Sequence, residues 1–244
     1  MKPIAIWKLG ATFDFLARRH GDFEDWIRAR LGVPAERVVV VDACQETVLP
    51  EPQDFAGIVL TGSHAMVTDH EPWSERTAAW IPGAVEAEVP LLGICYGHQL
   101  LAHAMGGKVD YLPRGREVGT VEVVLHEAAA ADRLFCDLPR RMLVHASHAQ
   151  SVVELPPGAT CLASNAHDPH HAFVLGKAAW GVQFHPEFDQ QVLRTYIEAR
   201  EEDLQSEGLD PQALLASLRP TPQAGQLLAR FGRMAIGEGG GTRE

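Results

Sequence analysis

The stretch PLLGICYGHQLLAHAMGGKV, Pro90 to Val109, changes its hydrophobic period partway along. Pro90 to Ile94 is a short apolar run with the length and flanks of a strand buried on both faces. From Leu100 onward the apolar residues, Leu101 and Met105, follow helical spacing until Gly106-Gly107 stops the helix. A strand that runs straight into a helix is half of a βαβ unit, so the neighbouring segments should repeat the alternation.

They do so on the N-terminal side. Ile4 to Leu9, Val38 to Val41 and Ala56 to Thr61 read as strands, and the unbroken β-branched run at Val38 predicts a strand buried on both faces. Between them, Phe23, Trp26, Ile27 and Leu31 are spaced for a helix ended by Gly32 and Pro34, and a further helix spans about Glu75 to Ala87. This order requires crossover connections and a parallel sheet. On the C-terminal side, Val121 to Leu125, Met142 to His145, Thr160 to Ala163, Ala172 to Leu175 and Trp180 to Phe184 read as short strands. These extend the sheet as an antiparallel flank. Asp189 then caps a helix carrying Val192, Leu193, Tyr196 and Ile197. Asp210-Pro211 opens another, and Leu227, Leu228, Phe231 and Met234 mark a last one. The expected fold class is α/β: an open, mostly parallel central sheet flanked by helices, with an antiparallel flank and C-terminal helices. Residues 1–188 would form the catalytic core, 189–236 a helical extension packed on the same domain, and 237–244 a glycine-rich, disordered tail.

Composition narrows the function. The 244 residues carry 21 Lys plus Arg against 32 Asp plus Glu, a formal charge of −11, which argues against a nucleic-acid partner. No apolar run approaches the roughly 20 residues that span a bilayer. Four cysteines (Cys44, Cys95, Cys136, Cys161) at wide, irregular spacing suggest neither a disulfide framework nor a zinc site, so a reduced, cytoplasmic protein is expected. Twelve histidines are more than usual.

The chemistry concentrates where strand meets helix. Gly93-Ile94-Cys95-Tyr96-Gly97 is a cysteine version of the nucleophile elbow, whose glycines flank a tight turn that lifts the Cys95 side chain above the sheet's C-terminal edge. The following helix directs its positive end at Cys95 and favours a thiolate there, and the Tyr96 N–H can face a developing oxyanion. A lone G-x-C-x-G also fits a cysteine packed in a strand-to-helix turn. The segment WGVQFHPE, Trp180 to Glu187, weighs against that bland reading. Pro186 holds the backbone extended, so His185 and Glu187 project on one side, where the carboxylate can fix the imidazole tautomer and leave the other nitrogen for Cys95. Standing alone, that segment would be a strand-end histidine beside a chance carboxylate.

Together with LTGSHAMVTD (Leu60 to Asp69) and SHAQSVVELPPGATCLASN (Ser147 to Asn165), these stretches resemble the class I glutamine amidotransferases, specifically the glutaminase domain of GMP synthase, over about Ile4 to Phe188. The resemblance implies a flavodoxin-like fold and a cysteine that attacks the side-chain amide of glutamine, giving a glutamyl thioester and ammonia without a cofactor. Cys95 would be the nucleophile, His185 the general acid/base and Glu187 its orienter. It further implies that the backbone of Gly62 and Tyr96 forms the oxyanion hole and that Gln99 lines the substrate pocket. Ser147, His148, Gln150 and Ser151 would lie on a loop that holds the glutamine backbone, although SHAQS departs from the family's HGD-type sequence.

Other features read as structure. Gly106-Gly107-Lys108 fails as a phosphate loop because Ala102 and Val109 occupy required Gly and Ser/Thr positions. His167-Asp168-Pro169-His170-His171 falls in a turn, so no metal site is expected. His20, His64, His70, His103, His126 and His145 have no partner legible in sequence, His98 reads equally as structural or functional, and Glu201-Glu202-Asp203 reads as a solvated helix face. About 55 residues follow the His-Pro-Glu motif, fewer than an ATP-pyrophosphatase domain needs, so the chain is not expected to make GMP alone. Three functions stay open: a glutamine amidotransferase-like hydrolase that passes ammonia to a synthetase or acceptor enzyme on another chain, a γ-glutamyl hydrolase of peptides or amines, and a non-catalytic binding module.

Overall fold

The computed structural model describes residues 1–237, so the expected tail lies, apart from Gly237, outside the described residues. The chain runs β1 (Ile4–Lys8), α1 (Asp14–His20), α2 (Phe23–Arg30), β2 (Val38–Asp42), β3 (Gly57–Leu60), α3 (Pro72–Glu86), β4 (Leu91–Ile94) and α4 (Tyr96–Ala104). It continues through β5 (Lys108–Tyr111), β6 (Glu117–Leu125), β7 (Arg141–His148), β8 (Gln150–Glu154), β9 (Ala159–Ser164), β10 (Ala172–Leu175) and β11 (Ala179–Val182). Four helices close it: α5 (Gln190–Ala199), α6 (Glu201–Ser206), α7 (Pro211–Ser217) and α8 (Pro222–Ala235).

Nine strands form one sheet in the order β2-β1-β3-β4-β11-β10-β9-β6-β7. The pairs from β2 to β11 are parallel, and β11 to β7 continue antiparallel. This is the expected α/β sheet with its antiparallel flank. Every residue of β3 and β4 is buried, because strands pair on both edges and helices cover both faces. One apolar cluster joins Ile6, Ile94 and Trp180 of the sheet to Leu227, Leu228 and Phe231 of α8, so the last helix packs on the sheet itself. The other face holds Trp7, Leu60 and Leu91 against Ile81 of α3 and Leu100 of α4.

Three sequence expectations need correction. The valine run is an edge strand rather than one buried on both faces: Val39 and Val40 are 38% and 37% exposed, because β2 has a single neighbour, β1. A small antiparallel sheet of β5 and β8 carries segments that read as loops, since Lys108 and Asp110 interrupt the apolar pattern. Helix α3 starts at Pro72, before the expected Glu75, because proline fits a first helical turn that needs no N–H. Among the described residues no helix is long and apolar enough to cross a membrane.

Three adjacent strands, β3, β4 and β11, end side by side, and the residues just past their ends are Gly62, Cys95 and His185. That edge is where open α/β sheets offer a crevice to ligands.

Candidate active site

Cys95 stands between β4 and α4 with φ 51° and ψ −100°, a left-handed conformation that a non-glycine residue adopts only when its surroundings enforce it. Two close approaches enforce it here. A Cβ on Gly97 would lie 2.6 Å from the Leu60 carbonyl oxygen, and a Cβ on Gly93 would lie 2.7 Å from the His98 nitrogen. The β3 backbone, the elbow and the first turn of α4 are therefore packed main chain to main chain. The Cys95 N–H donates to the Val182 carbonyl at 2.9 Å, tying the elbow to β11.

His185 is carried past the end of β11, where its N–H donates to the His145 carbonyl of β7 at 2.8 Å. Its ring stacks on Phe188 with centroids 4.0 Å apart. His185 Nδ1 lies 2.7 Å from Glu187 Oε1, and Glu187 is fully buried. A carboxylate can only accept, so Nδ1 carries the proton and Nε2 is left for Cys95. Burial alone would lower the imidazole pKa, but the Glu187 carboxylate and Cys95 outweigh it and push His185 up to about 10.

The N–H groups of Gly62 and Tyr96 have no partner among the described residues. The Thr61 hydroxyl fixes the Gly62 loop by donating to the Gly62 carbonyl at 2.9 Å and accepting from the Leu9 N–H at 2.9 Å. A Cβ on Gly62 would fit tightly, standing 3.2 Å from both His185 Cε1 and Phe23 Cε1. The two N–H groups thus remain available for an oxygen at Cys95.

Gln99, Ser147, His148 and Gln150 line the same cleft as Cys95 and His185. Gln99 donates to the Gln150 carbonyl at 2.7 Å and to Gln183 Oε1 at 3.0 Å. Gln150 Nε2 donates to the Thr68 hydroxyl at 2.6 Å, while its Oε1 is buried with no partner. Ser151 is placed differently. Its buried hydroxyl donates to Asp168 at 2.5 Å, away from the cleft lining.

Nothing in the sequence singles out Glu117, Arg116, Tyr196 or Arg200 as residues of the site. Glu117 Oε2 accepts from His148 Nε2 at 3.0 Å and from His171 Nε2 at 2.8 Å, and the three side chains are buried together. Although burial opposes it, bonding to the two imidazoles holds the Glu117 carboxyl well below its ordinary range. His171 comes from the segment read as a turn. This trio and the more exposed His70, Glu75 and His103 are the two groups among the described residues with donor atoms close enough to share a cation. In the buried trio His148 Nδ1 also contacts the Gln150 carbonyl, at 3.0 Å, so the network stiffens the wall formed by Ser147 to Gln150. Arg116, Tyr196 and Arg200 also line the cleft. His98 lies under the elbow, fully buried against Phe173 at 5.0 Å and outside the cleft lining, and burial lowers its pKa to about 3.

The family model described as glutamine amidotransferase class-I matches residues 23–201. The GMP synthase [glutamine-hydrolyzing] of Thermomicrobium roseum is 41% identical over 141 residues, 58% of this chain and 25% of that protein. The Bacillus subtilis enzyme of the same name is 39% identical over 132 residues, 54% of this chain and 24% of its own. The matches thus span about a quarter of these curated relatives. A glutamine amidotransferase structure from Thermotoga maritima superposes with a TM-score of 0.76 at 23% identity, covering 97% of this chain and 99% of that one. One from Methylobacillus flagellatus gives 0.72 at 25% identity, covering 100% and 98%. The chain belongs to the class I glutamine amidotransferase family.

Proposed function

We propose that the chain hydrolyses the γ-amide of glutamine through a cysteinyl thioester and releases ammonia. Membership of the family supports glutamine amide hydrolysis in general. The observation that carries the finer reading is the strained Cys95 elbow, which shares one cleft with the His185–Glu187 pair. Cys95 Sγ attacks the γ-carbonyl, and the oxygen's developing charge is met by the N–H groups of Gly62 and Tyr96. His185 then delivers a proton to the leaving nitrogen, and the C–N bond breaks as the thioester forms. Water, deprotonated by His185, attacks the thioester, and glutamate leaves as the thiol is restored. Glu187 holds the imidazole in the tautomer that faces Cys95. Gln150 Oε1, an unpaired buried acceptor in the cleft, suits the substrate's ammonium group, and Gln99 fixes the Gln150 backbone.

In this reading the ammonia passes to an acceptor enzyme, either a synthetase or another ammonia-consuming enzyme. Glutaminase turnover tests the proposal directly. Cys95→Ala should retain its circular dichroism spectrum and lose glutamine hydrolysis by at least about a thousandfold, the scale for losing an activated nucleophile. Unchanged turnover in that variant removes Cys95 as the nucleophile.

A further inference from the structure

Three donor side chains meet on the flank of α3 and α4. His70 Nδ1 lies 2.8 Å from Glu75 Oε1, and His103 Nε2 lies 3.2 Å from the same oxygen. The two imidazole rings stand 5.5 Å apart, centroid to centroid. Separate segments supply them: His70 closes the turn Val67–Asp69, Glu75 is in the first turn of α3 and His103 in the last turn of α4. None of the three lines the cleft of Cys95 and His185.

Their chemistry and surroundings suit a cation. Two imidazoles and one carboxylate are a ligand set that zinc accepts, and the donor atoms here all lie within 4.8 Å of one another. Around a tetrahedral ion with bonds of about 2.0–2.1 Å, neighbouring ligand atoms stand roughly 3.3 Å apart, so small side-chain shifts complete the geometry. His70 is exposed and Glu75 and His103 are half-buried, which leaves a way in and room for water at the remaining position. Asp69 and Glu71 flank His70 in sequence and add negative charge, while the Arg76 guanidinium is engaged by the Ala43 carbonyl at 3.1 Å. The trio of Glu117, His148 and His171 offers the same donor types without these openings. All three of its side chains are buried, Asn165 takes the second Glu117 oxygen at 2.7 Å, and no water-facing side remains.

We propose that His70, Glu75 and His103 form a binding site for a divalent transition-metal cation of the zinc, cobalt or nickel kind, the class that imidazole favours. The cation takes the place of ring protons at His70 Nδ1 and His103 Nε2, and each imidazole keeps one proton on its other nitrogen. Its position gives it a reach into the cleft. The segment that starts at Gly62 and ends at His70 contributes Ser63 to Met66 to the cleft lining, and the Thr68 hydroxyl accepts from Gln150 at 2.6 Å. Helix α4 begins directly after Cys95. The bound cation pins the end of that cleft wall to the far end of the elbow helix. This holds whether or not Cys95 forms a thioester.

Cobalt(II) is the probe, because its d–d bands report nitrogen and oxygen ligation and a thiolate ligand adds a charge-transfer band. Chelator-treated native protein should take up one equivalent of Co2+ with d–d bands and no thiolate band. His70→Gln and His103→Gln should keep the native circular dichroism spectrum and weaken Co2+ binding by at least about a hundredfold. That exceeds the ten- to hundredfold loss expected when only a ligand's supporting partner is removed. Cys95→Ala should bind Co2+ as the native protein does. Amide hydrogen exchange over residues 63–70 should slow when Co2+ is added to the native protein, and should not change in His103→Gln. Absence of uptake by the native protein overturns the proposal, as does an affinity unchanged in His103→Gln. A thiolate band, or uptake lost in Cys95→Ala, assigns the cation to the catalytic cysteine and overturns it as well. Uptake that leaves exchange over residues 63–70 unaltered overturns the pinning of the cleft wall.

Discussion

At the scale of single residues, the imidazole of His185 holds the proposed chemistry together. Its pKa of about 10 is the outcome of burial, which lowers it, against the Glu187 carboxylate and Cys95, which raise it. The group is then still protonated at pH 8, so the rate should show no inflection near 6.5, where an ordinary histidine titrates. In Glu187→Gln the main raising influence is gone and burial remains, so His185 should lose its proton at much lower pH. A glutamine also offers no fixed acceptor, so the tautomer is no longer enforced. kcat/KM should fall about a hundredfold or more, and an inflection should enter the neutral range. A pH–rate profile of the variant that overlays the native one would dismiss Glu187 as the orienting group. Cys95, His185 and Glu187 could be singled out in the sequence because each sits in a short local motif. Arg200 and Glu117 could not, because their surroundings come from elsewhere in the chain. Phe13 lies far from Arg200 in sequence, and His171 is 54 residues from Glu117. Several orphan histidines gain partners the same way: His126 meets Ser164 at 2.8 Å, and His103 meets Glu75 at 3.2 Å.

At the scale of elements, the elbow works because two helical and strand backbones touch without side chains between them. A methyl group on Gly97 would enter the space of the Leu60 Cβ and carbonyl, both 2.6 Å from its ideal position. Leu60 ends β3 but is fully buried and paired on both sides, to Trp7 and Gly93, so it has little freedom to move. Gly97→Ala should destabilise the protein by about 1–3 kcal/mol, the usual cost of overpacking. Gly83→Ala in α3 should do the opposite, because nothing lies within 4 Å of the new methyl and a helical glycine costs about 1 kcal/mol relative to alanine. Denaturant midpoints of the two variants should therefore move in opposite directions, and a shared direction would discredit the packing argument. Elements such as β4 and α4 were legible because burial on both faces leaves an unbroken apolar signature and glycines mark the turn. The β2 error shows the limit of that signature. A run of valines records β-branched chemistry, and whether a strand is central or at an edge is decided by strand order, which no local window contains.

At the scale of the whole molecule, buried histidines should make stability fall on both sides of neutrality. Burial lowers the pKa of His98 to about 3 and those of His64 and His145 to about 4, against about 6.5 in an unfolded chain. Below pH 6.5 the unfolded chain therefore takes up protons at these three sites while the folded one does not, and stability declines as pH falls from 6.5 toward 4. Each site contributes at most about 1.4 kcal/mol per pH unit, with the fully buried His98 nearest that limit. Below about pH 4.5 the loss deepens, because the Glu117 carboxylate, held ionised by His148 and His171 in the fold, is protonated more readily in the unfolded chain. His185 has the opposite sign. Its folded pKa of about 10 lies above the unfolded value, so its contribution is complete below pH 6.5 and is lost as pH rises toward 10. The folded state should consequently be most stable close to neutral pH, well above the sequence pI of about 5.5. Thermal or urea midpoints measured from pH 4 to 10 should trace a maximum there, and Cys95→Ala, which removes one influence raising His185, should flatten the alkaline limb while leaving the acid limb in place. A midpoint that stays level between pH 7 and 5 would mean that His64, His98 and His145 are not held neutral by the fold.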